Sequence, residues 1–220
     1  MKPIIVIGGG ASGLMAAGTA GKYYEKVLLI EKNKKLGKKL FITGKGRCNV
    51  TNINDIELFM ENITTNKNFL YSALYSFDNR QLISFLKRMG IETKVERGGR
   101  VFPASDKSKD IIDAFKNYLN KNGVDIIKGK VKKIFSKNNK INKIFLEDGR
   151  SYFPKSVIIA TGGLSYPETG STGDGFKFAK SLGHTINKIK PSLIPLEVEE
   201  NWVANTDNLN LRNVSLSVVN

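Results

Sequence analysis

Three glycines and one acid stand at a spacing that can hold an anionic, sugar-bearing ligand. Gly8, Gly10 and Gly13 form a G-x-G-x-x-G run with Ala11 and Ser12 inside it, and Glu31 follows eighteen residues after the last glycine. A glycine at 8 permits a tight turn, one at 10 lets main-chain amides approach a diphosphate, and one at 13 lets a helix pack close to a strand. The first amides of a helix carry partial positive charge, worth roughly 0.3 to 1 kcal/mol toward an anion. A carboxylate at 31 can accept from the hydroxyls of a ribose. The chemistry is the grip of a dinucleotide.

That grip needs a strand, a helix and a second strand in this order. Residues 4–7 are a short, continuous apolar run bounded by glycines, the pattern of a strand buried on both faces of a parallel sheet. A helix starts near Gly10, and residues 27–30 supply the next strand, so residues 4–31 read as one βαβ unit with a right-handed crossover. Leu82, Phe85, Leu86 and Met89 recur at helical spacing, with Asp78 as N-cap and Gly90 as stop. A second amphipathic helix runs from Asp110 through Phe115 and Leu119 to Gly123 and feeds a strand at 124–127.

Residues 130–153 have a different rhythm. Val131 and Ile134 lead into a polar Lys and Asn turn, residues 144–146 return, and Asp148-Gly149 turns again before 151–153. This is a three-stranded antiparallel meander. Residues 157–160 follow as another strand expected to be buried and parallel, closed by Thr161, Gly162 and Gly163, and a short helix at 176–182 ends at Gly183. From Pro191 the alternation at Leu196 and Val198, then Val214, Leu216 and Val218, reads as strands of a separate antiparallel layer. Together these elements give an α/β fold, a Rossmann-like domain with an inserted meander, incomplete at its C-terminal side.

A meander placed before an Ala-Thr-Gly strand end is the order of FAD domains. Here the chain resembles the two-dinucleotide-binding flavoproteins of the glutathione reductase type. Residues 37–52 (GKKLFITGKGRCNVTN), 99–105 (GRVFPAS) and 163–175 (GLSYPETGSTGDG), with Gly183-His184 behind them, narrow the resemblance. In combination they are similar to the BaiN-type, aminoacetone oxidase-like NAD(P)/FAD-dependent oxidoreductases. The resemblance implies FAD as cofactor, NAD(P)H as a candidate electron donor, and hydride transfer between a nicotinamide or a small organic substrate and flavin. It implies cofactor contacts from Gly8, Gly10, Ala11, Ser12, Gly13, Glu31 and Lys32. Further contacts are implied from Lys39, Thr43, Gly44, Arg47, Cys48 and Asn49 of the second segment. Val131 would flank adenine, and Thr161, Gly162 and Gly163 would close the site.

The same resemblance implies a split architecture, with residues 1–190 as the N-terminal portion of the FAD-binding domain and 191–220 as the start of an inserted substrate domain. Family members are about twice as long, and the glycine-rich stretch that returns to the flavin has no counterpart in this sequence. The expectation is therefore an N-terminal fragment that binds FAD poorly and exposes an apolar edge. A non-catalytic folded fragment is the corresponding alternative.

Other residues invite chemistry and support it less. Cys48 is the only cysteine and has no resolving partner, so a structural or flavin-adjacent role is favoured over a redox one. With His184 the only histidine, no Cys/His zinc cage can form, and no metal site is expected. His184 sits at a helix end, where an imidazole commonly meets solvent. Asp174 opens a helix and reads as an N-terminal charge. Tyr166 follows Gly163 closely enough to approach a flavin, although a loop aromatic more often packs. No catalytic residue is assigned, because flavin itself accepts and donates hydride.

Thirty-five Lys and Arg against 20 Asp and Glu give a net charge of +15 over 220 residues. This favours anionic partners without naming one. A solvated, lysine-rich composition is the preferred reading over a nucleic-acid groove, whose signature is a basic stripe interleaved with stacking aromatics. An FAD-containing RNA-modifying protein is carried as the second reading. No run approaches the ~18 apolar residues of a membrane span, and glycines interrupt the apolar N-terminus, so a cytoplasmic protein without membrane contact is expected. The sequence leaves its oligomeric state open.

Overall fold

The computed structural model describes residues 1–191, 199, 201–206 and 217. Residues Met1–Ile186 make one compact unit and Asn187–Asn220 a second. In the second, Asn201–Thr206 form a 3-10 helix that leaves Trp202 exposed. The strands expected around Leu196, Val198, Val214, Leu216 and Val218 lie outside the described residues.

In the first unit, β1 (Ile4–Ile7), α1 (Ala11–Gly21) and β2 (Val27–Glu31) follow as the sequence pattern requires. Then come α2 (Lys38–Ile42), β3 (Thr51–Asn52), α3 (Ile56–Glu61), α4 (Lys67–Ser76) and α5 (Asn79–Arg88). The chain continues through β4 (Thr93–Glu96), β5 (Arg100–Pro103), α6 (Ser108–Lys121) and β6 (Val124–Lys128). It closes with β7 (Val131–Lys137), β8 (Lys140–Leu146), β9 (Ser151–Tyr152), β10 (Ser156–Ile159) and α7 (Asp174–Ser181). A four-stranded parallel sheet runs β10-β1-β2-β6, and β7-β8-β9 form the antiparallel meander.

The unbroken apolar run of β1 is explained by what covers each face. Successive side chains of a strand point to opposite sides. Ile4, Val6, Val27 and Leu29 face Leu14 and Ala17 of α1, Ile111, Phe115, Tyr118 and Leu119 of α6, and Phe85 and Leu86 of α5. Ile5, Ile7, Leu28 and Ile30 face Val131, Ile134, Ile144 and Leu146 of the meander together with Phe178 of α7. The sheet is therefore the middle of three layers, and each fully buried Leu or Ile contributes ~1.5 to 3 kcal/mol.

The helix ends follow local chemistry. Asp78 caps α5 by accepting from the Gln81 amide at 2.6 Å while the Gln81 side chain accepts from the Asp78 amide at 2.8 Å, a reciprocal capping box. Gly90, Gly123 and Gly183 end α5, α6 and α7 with positive φ.

One expectation is corrected, and two further elements appear. The strand at 157–160 was expected to be buried, yet β10 is an edge strand whose Ile158 and Ile159 are 39% and 37% exposed. Within residues 37–52, 38–42 form α2 and 43–46 a 3-10 turn. A second small sheet, β3-β5-β4, stands where no strand was read.

Candidate functional site

The C-terminal ends of β1 and β2 open into a cleft of about 370 Å³. This is where ligands of open α/β sheets sit. Two constraints shape its floor. A β-carbon at Gly13 would stand 1.7 Å from the Gly8 carbonyl oxygen, and one at Gly8, where φ is +108°, would stand 2.4 Å from the Ala160 oxygen. Here the backbones of α1, the first turn and the end of β10 pack without room for side chains. Gly10 is different: its φ is −81°, and a β-carbon there would meet no atom within 4 Å. No neighbouring atom accounts for the missing side chain at 10, which opens onto the cleft.

The first turn of α1 adds donors. Its earliest main-chain bond runs from the Leu14 amide to the Gly10 oxygen at 2.9 Å, so the amides of Ala11, Ser12 and Gly13 precede the helical ladder. Glu31, the last residue of β2, is buried at 8% exposure and anchors the turn. Its Oε2 accepts from the Gly9 amide at 2.5 Å and its Oε1 from the Asn33 amide at 2.7 Å. Each carboxylate oxygen has a second acceptor direction, so the group keeps capacity for a sugar diol.

The far wall is made by Thr169, Gly170, Ser171 and Asp174, whose stretch of chain is strapped to the segment after β2. Lys32 Nζ donates to Asp174 Oδ2 and Thr172 Oγ1, both at 2.7 Å. The Asn33 side chain donates to the Thr169 oxygen at 3.1 Å, Lys38 to the Glu168 oxygen at 2.5 Å and Lys39 to the Ser165 oxygen at 2.6 Å. Burial raises the Asp174 carboxyl, but hydrogen bonds from Lys32 and Thr172 and the charges of Lys32 and Lys177 outweigh it, and the group titrates below the usual carboxylate range. Thr161 Oγ1 is buried with no hydrogen-bond partner. An orphan hydroxyl at the cleft wall costs free energy unless a ligand completes it.

Of the residues singled out from sequence, Gly8, Gly10, Ala11, Ser12, Glu31, Lys32, Lys39, Thr43, Val131, Thr161 and Gly162 line this cleft. Gly13 lies beneath it. Gly44, Arg47, Cys48, Asn49 and Gly163 are not among its walls. Arg47 instead pairs with Glu96 at 2.7 Å and Asp106 at 3.4 Å and lies over the Phe102 ring at 4.1 Å. Asn49, its amide oriented to satisfy both neighbours, donates to the Thr51 and Val101 oxygens at 3.0 and 3.2 Å. Cys48 is fully buried in the helical-side core with φ +64°, and burial pushes its thiol up, partly offset by a hydrogen bond with Thr43. Arg47 and Asn49 thus brace the β3-β5-β4 region.

His184 is exposed, and Tyr166 is 61% exposed with φ +53°. Asn33, Lys130, Thr169, Ser171 and Phe178 line the cleft without having been picked out. Only the glycine-rich stretch 163–175 pointed toward that wall. Among the described residues no cluster of His, Cys, Asp or Glu could hold a metal ion, and no helix is long and apolar enough to cross a membrane.

A turn of this shape, an acid at the second strand end and a meander beside the sheet define the Rossmann-like FAD-binding fold. The chain belongs to the family described as HI0933-like protein Rossmann domain, which it matches over residues 2–207. It is 32% identical over 203 residues to a 3-dehydro-bile acid delta(4,6)-reductase of Clostridium scindens, covering 91% of this chain and 48% of the relative. It is 30% identical over 200 residues to the ribosomal RNA dihydrouridine synthase of Escherichia coli, covering 89% and 48%. The chain thus spans about half the length of the curated relatives it matches. Among solved structures, a flavocytochrome c3 fumarate reductase in an open conformation shares the fold with a TM-score of 0.59 at 21% identity, over 84% of this chain and 41% of that one.

Proposed function

We propose that this chain is the dinucleotide-binding half of a cytoplasmic, FAD-dependent reductase that takes hydride from NAD(P)H and saturates a carbon–carbon double bond conjugated to a carbonyl. The single observation that carries the cofactor reading is Gly10, whose missing side chain opens onto a cleft bounded by the free amides of α1 and by Glu31. A diphosphate fits that space, with the amides of Ala11 and Ser12 as donors and Glu31 beneath the ribose. Val131 and Lys130 border the adenine end. The orphan Thr161 hydroxyl would find its partner on the ligand. Bound flavin supplies the hydride carrier, and the residues described here bind it, orient it and exclude water.

The reaction class rests on the relatives. Both relatives' activities are saturations: of a 3-oxo bile acid with double bonds at positions 4 and 6, and of uridine to dihydrouridine in ribosomal RNA. Each puts the reduced bond beside a carbonyl. A lone buried cysteine and the lack of a spanning helix among the described residues fit a reducing, aqueous compartment.

The test is calorimetric titration with FAD, ADP and FMN. We expect weak FAD binding that ADP displaces and no binding of FMN, because the adenosine diphosphate half carries the contacts. FMN binding as tightly as FAD, or ADP failing to compete, would overturn the reading.

A further inference from the structure

We propose that the outward face of the β7–β8 hairpin is a docking surface for single-stranded RNA. The strand register makes the face. Lys133 stands directly opposite Phe145, and Phe135 directly opposite Lys143. Residues two apart on a strand share a side, so these four form a checkerboard of two cations and two rings. Lys133 Nζ lies 4.8 Å from the Phe135 centroid and Lys143 Nζ 5.6 Å from that of Phe145. The opposite side of the same hairpin is core, with Ile134 and Ile144 buried. The rings therefore stand on the outward side, Phe135 exposed at 37% and Phe145 half-buried, each with a lysine over it.

The charges on this hairpin are unbalanced. Residues 130–155 carry eight Lys and Arg against two acids. Both acids are already engaged, Glu147 with Lys130 at 2.8 Å and Asp148 with Arg150 at 2.6 Å. Among the described residues, Lys132, Lys133, Lys137, Lys140 and Lys143 have no carboxylate partner. At the hairpin tip Lys137 and Lys140 face each other directly across the strands. Like charges in opposed positions destabilise a hairpin, and a polyanion laid along the face relieves that repulsion.

Cations alone would accept any polyanion. Outward rings between them, Phe135 exposed and Phe145 partly so, add surfaces on which unpaired bases stack, and single-stranded nucleic acid offers phosphates and bases together. This is the stripe of lysine and aromatic residues that composition by itself could not reveal. The surface lies outside the dinucleotide cleft and can be tested with no flavin present, so its failure would leave the cofactor reading standing.

The experiment measures binding of the whole 220-residue chain to a labelled oligouridylate of about 12 nucleotides by fluorescence anisotropy across a salt series. We expect log affinity to fall linearly with log salt. The double variant Lys133→Glu/Lys143→Glu should bind at least ~10-fold more weakly, with a salt slope shallower by about 1.4. Phe135→Ala/Phe145→Ala should lose at least ~5-fold with the slope unchanged. Lys133→Arg/Lys143→Arg should retain binding, and Lys87→Glu/Lys121→Glu, which reverses two exposed lysines on α5 and beside it on α6, should change affinity less than ~2-fold. Thermal melts confirm that each variant is folded. Equal losses from the control pair, an unchanged phenylalanine variant, preference for anionic vesicles over RNA, or no RNA binding at about 50 mM salt would each overturn the proposal.

Discussion

Gly13 and Gly8 touch through backbone alone, with only 1.7 Å between the place of a β-carbon at 13 and the carbonyl oxygen of 8. Neither atom can move without separating α1 from β1. Gly13→Ala should therefore destabilise the chain by at least ~2 kcal/mol, as overpacking of a rigid site does, and abolish nucleotide binding with it. Gly10→Ala enters open space at an ordinary φ, so its melting should shift by no more than about 1 kcal/mol equivalent, while ADP affinity falls at least ~10-fold. Urea melts and ADP titrations on both variants separate the two roles. Parallel loss of fold and binding at position 10 would contradict the cleft assignment.

Thr161 gives the opposite signature. Its buried hydroxyl lacks a partner in the free protein, so Thr161→Val should leave stability unchanged or raise it by up to ~1 kcal/mol. The same change should weaken FAD by about 5-fold if the ligand supplies the missing bond. A variant that melts lower and binds normally would show that the hydroxyl serves the protein alone.

The Lys32–Asp174 strap predicts an acid-sensitive contribution. Because the folded carboxyl titrates below its ordinary value of 3.8, with burial outweighed by its Lys32 and Thr172 bonds, stability from it is complete above that value. It is lost as pH falls through the folded pKa. The stability gap between wild type and Asp174→Asn in urea melts should thus be larger at about pH 6 than at about pH 3. A gap that widens in acid would refute the strap.

Cys48 should be chemically silent. It is fully buried, its thiol pushed up by burial with only partial offset from Thr43. Alkylation at about pH 8 should run at least ~100-fold slower in the native chain than in urea. Fast native labelling would show that the segment around it opens readily.

What could be read from residues alone was what local chemistry dictates. The βαβ unit, the Asp78 cap and the Asp148-Gly149 turn announce themselves within a few positions. The β3-β5-β4 sheet does not, since Thr51 pairs with Val101, fifty positions further along the chain, and the strands are two to four residues long. Helices α3 and α4 were equally silent, because α4 buries none of its side chains and α3 only Met60, leaving no apolar stripe. Within the site, the fingerprint and Glu31 were legible, whereas the destination of Arg47 was not. Its partners Glu96 and Asp106 lie 49 and 59 residues away, and a cation beside a glycine turn is as ready to brace a fold as to meet a phosphate.

Glu31 has one further implication. The carboxylate that would recognise a sugar also fixes the Gly9 amide, so selectivity and scaffold share an atom. An adenosine bearing an extra phosphate on its ribose would bring negative charge against that oxygen, and trading the acid for a neutral residue to admit it would loosen the loop. On the proposed cofactor reading, preference for the unphosphorylated nucleotide would not be adjustable by one substitution, and any lineage altering it would first need another tether for the turn.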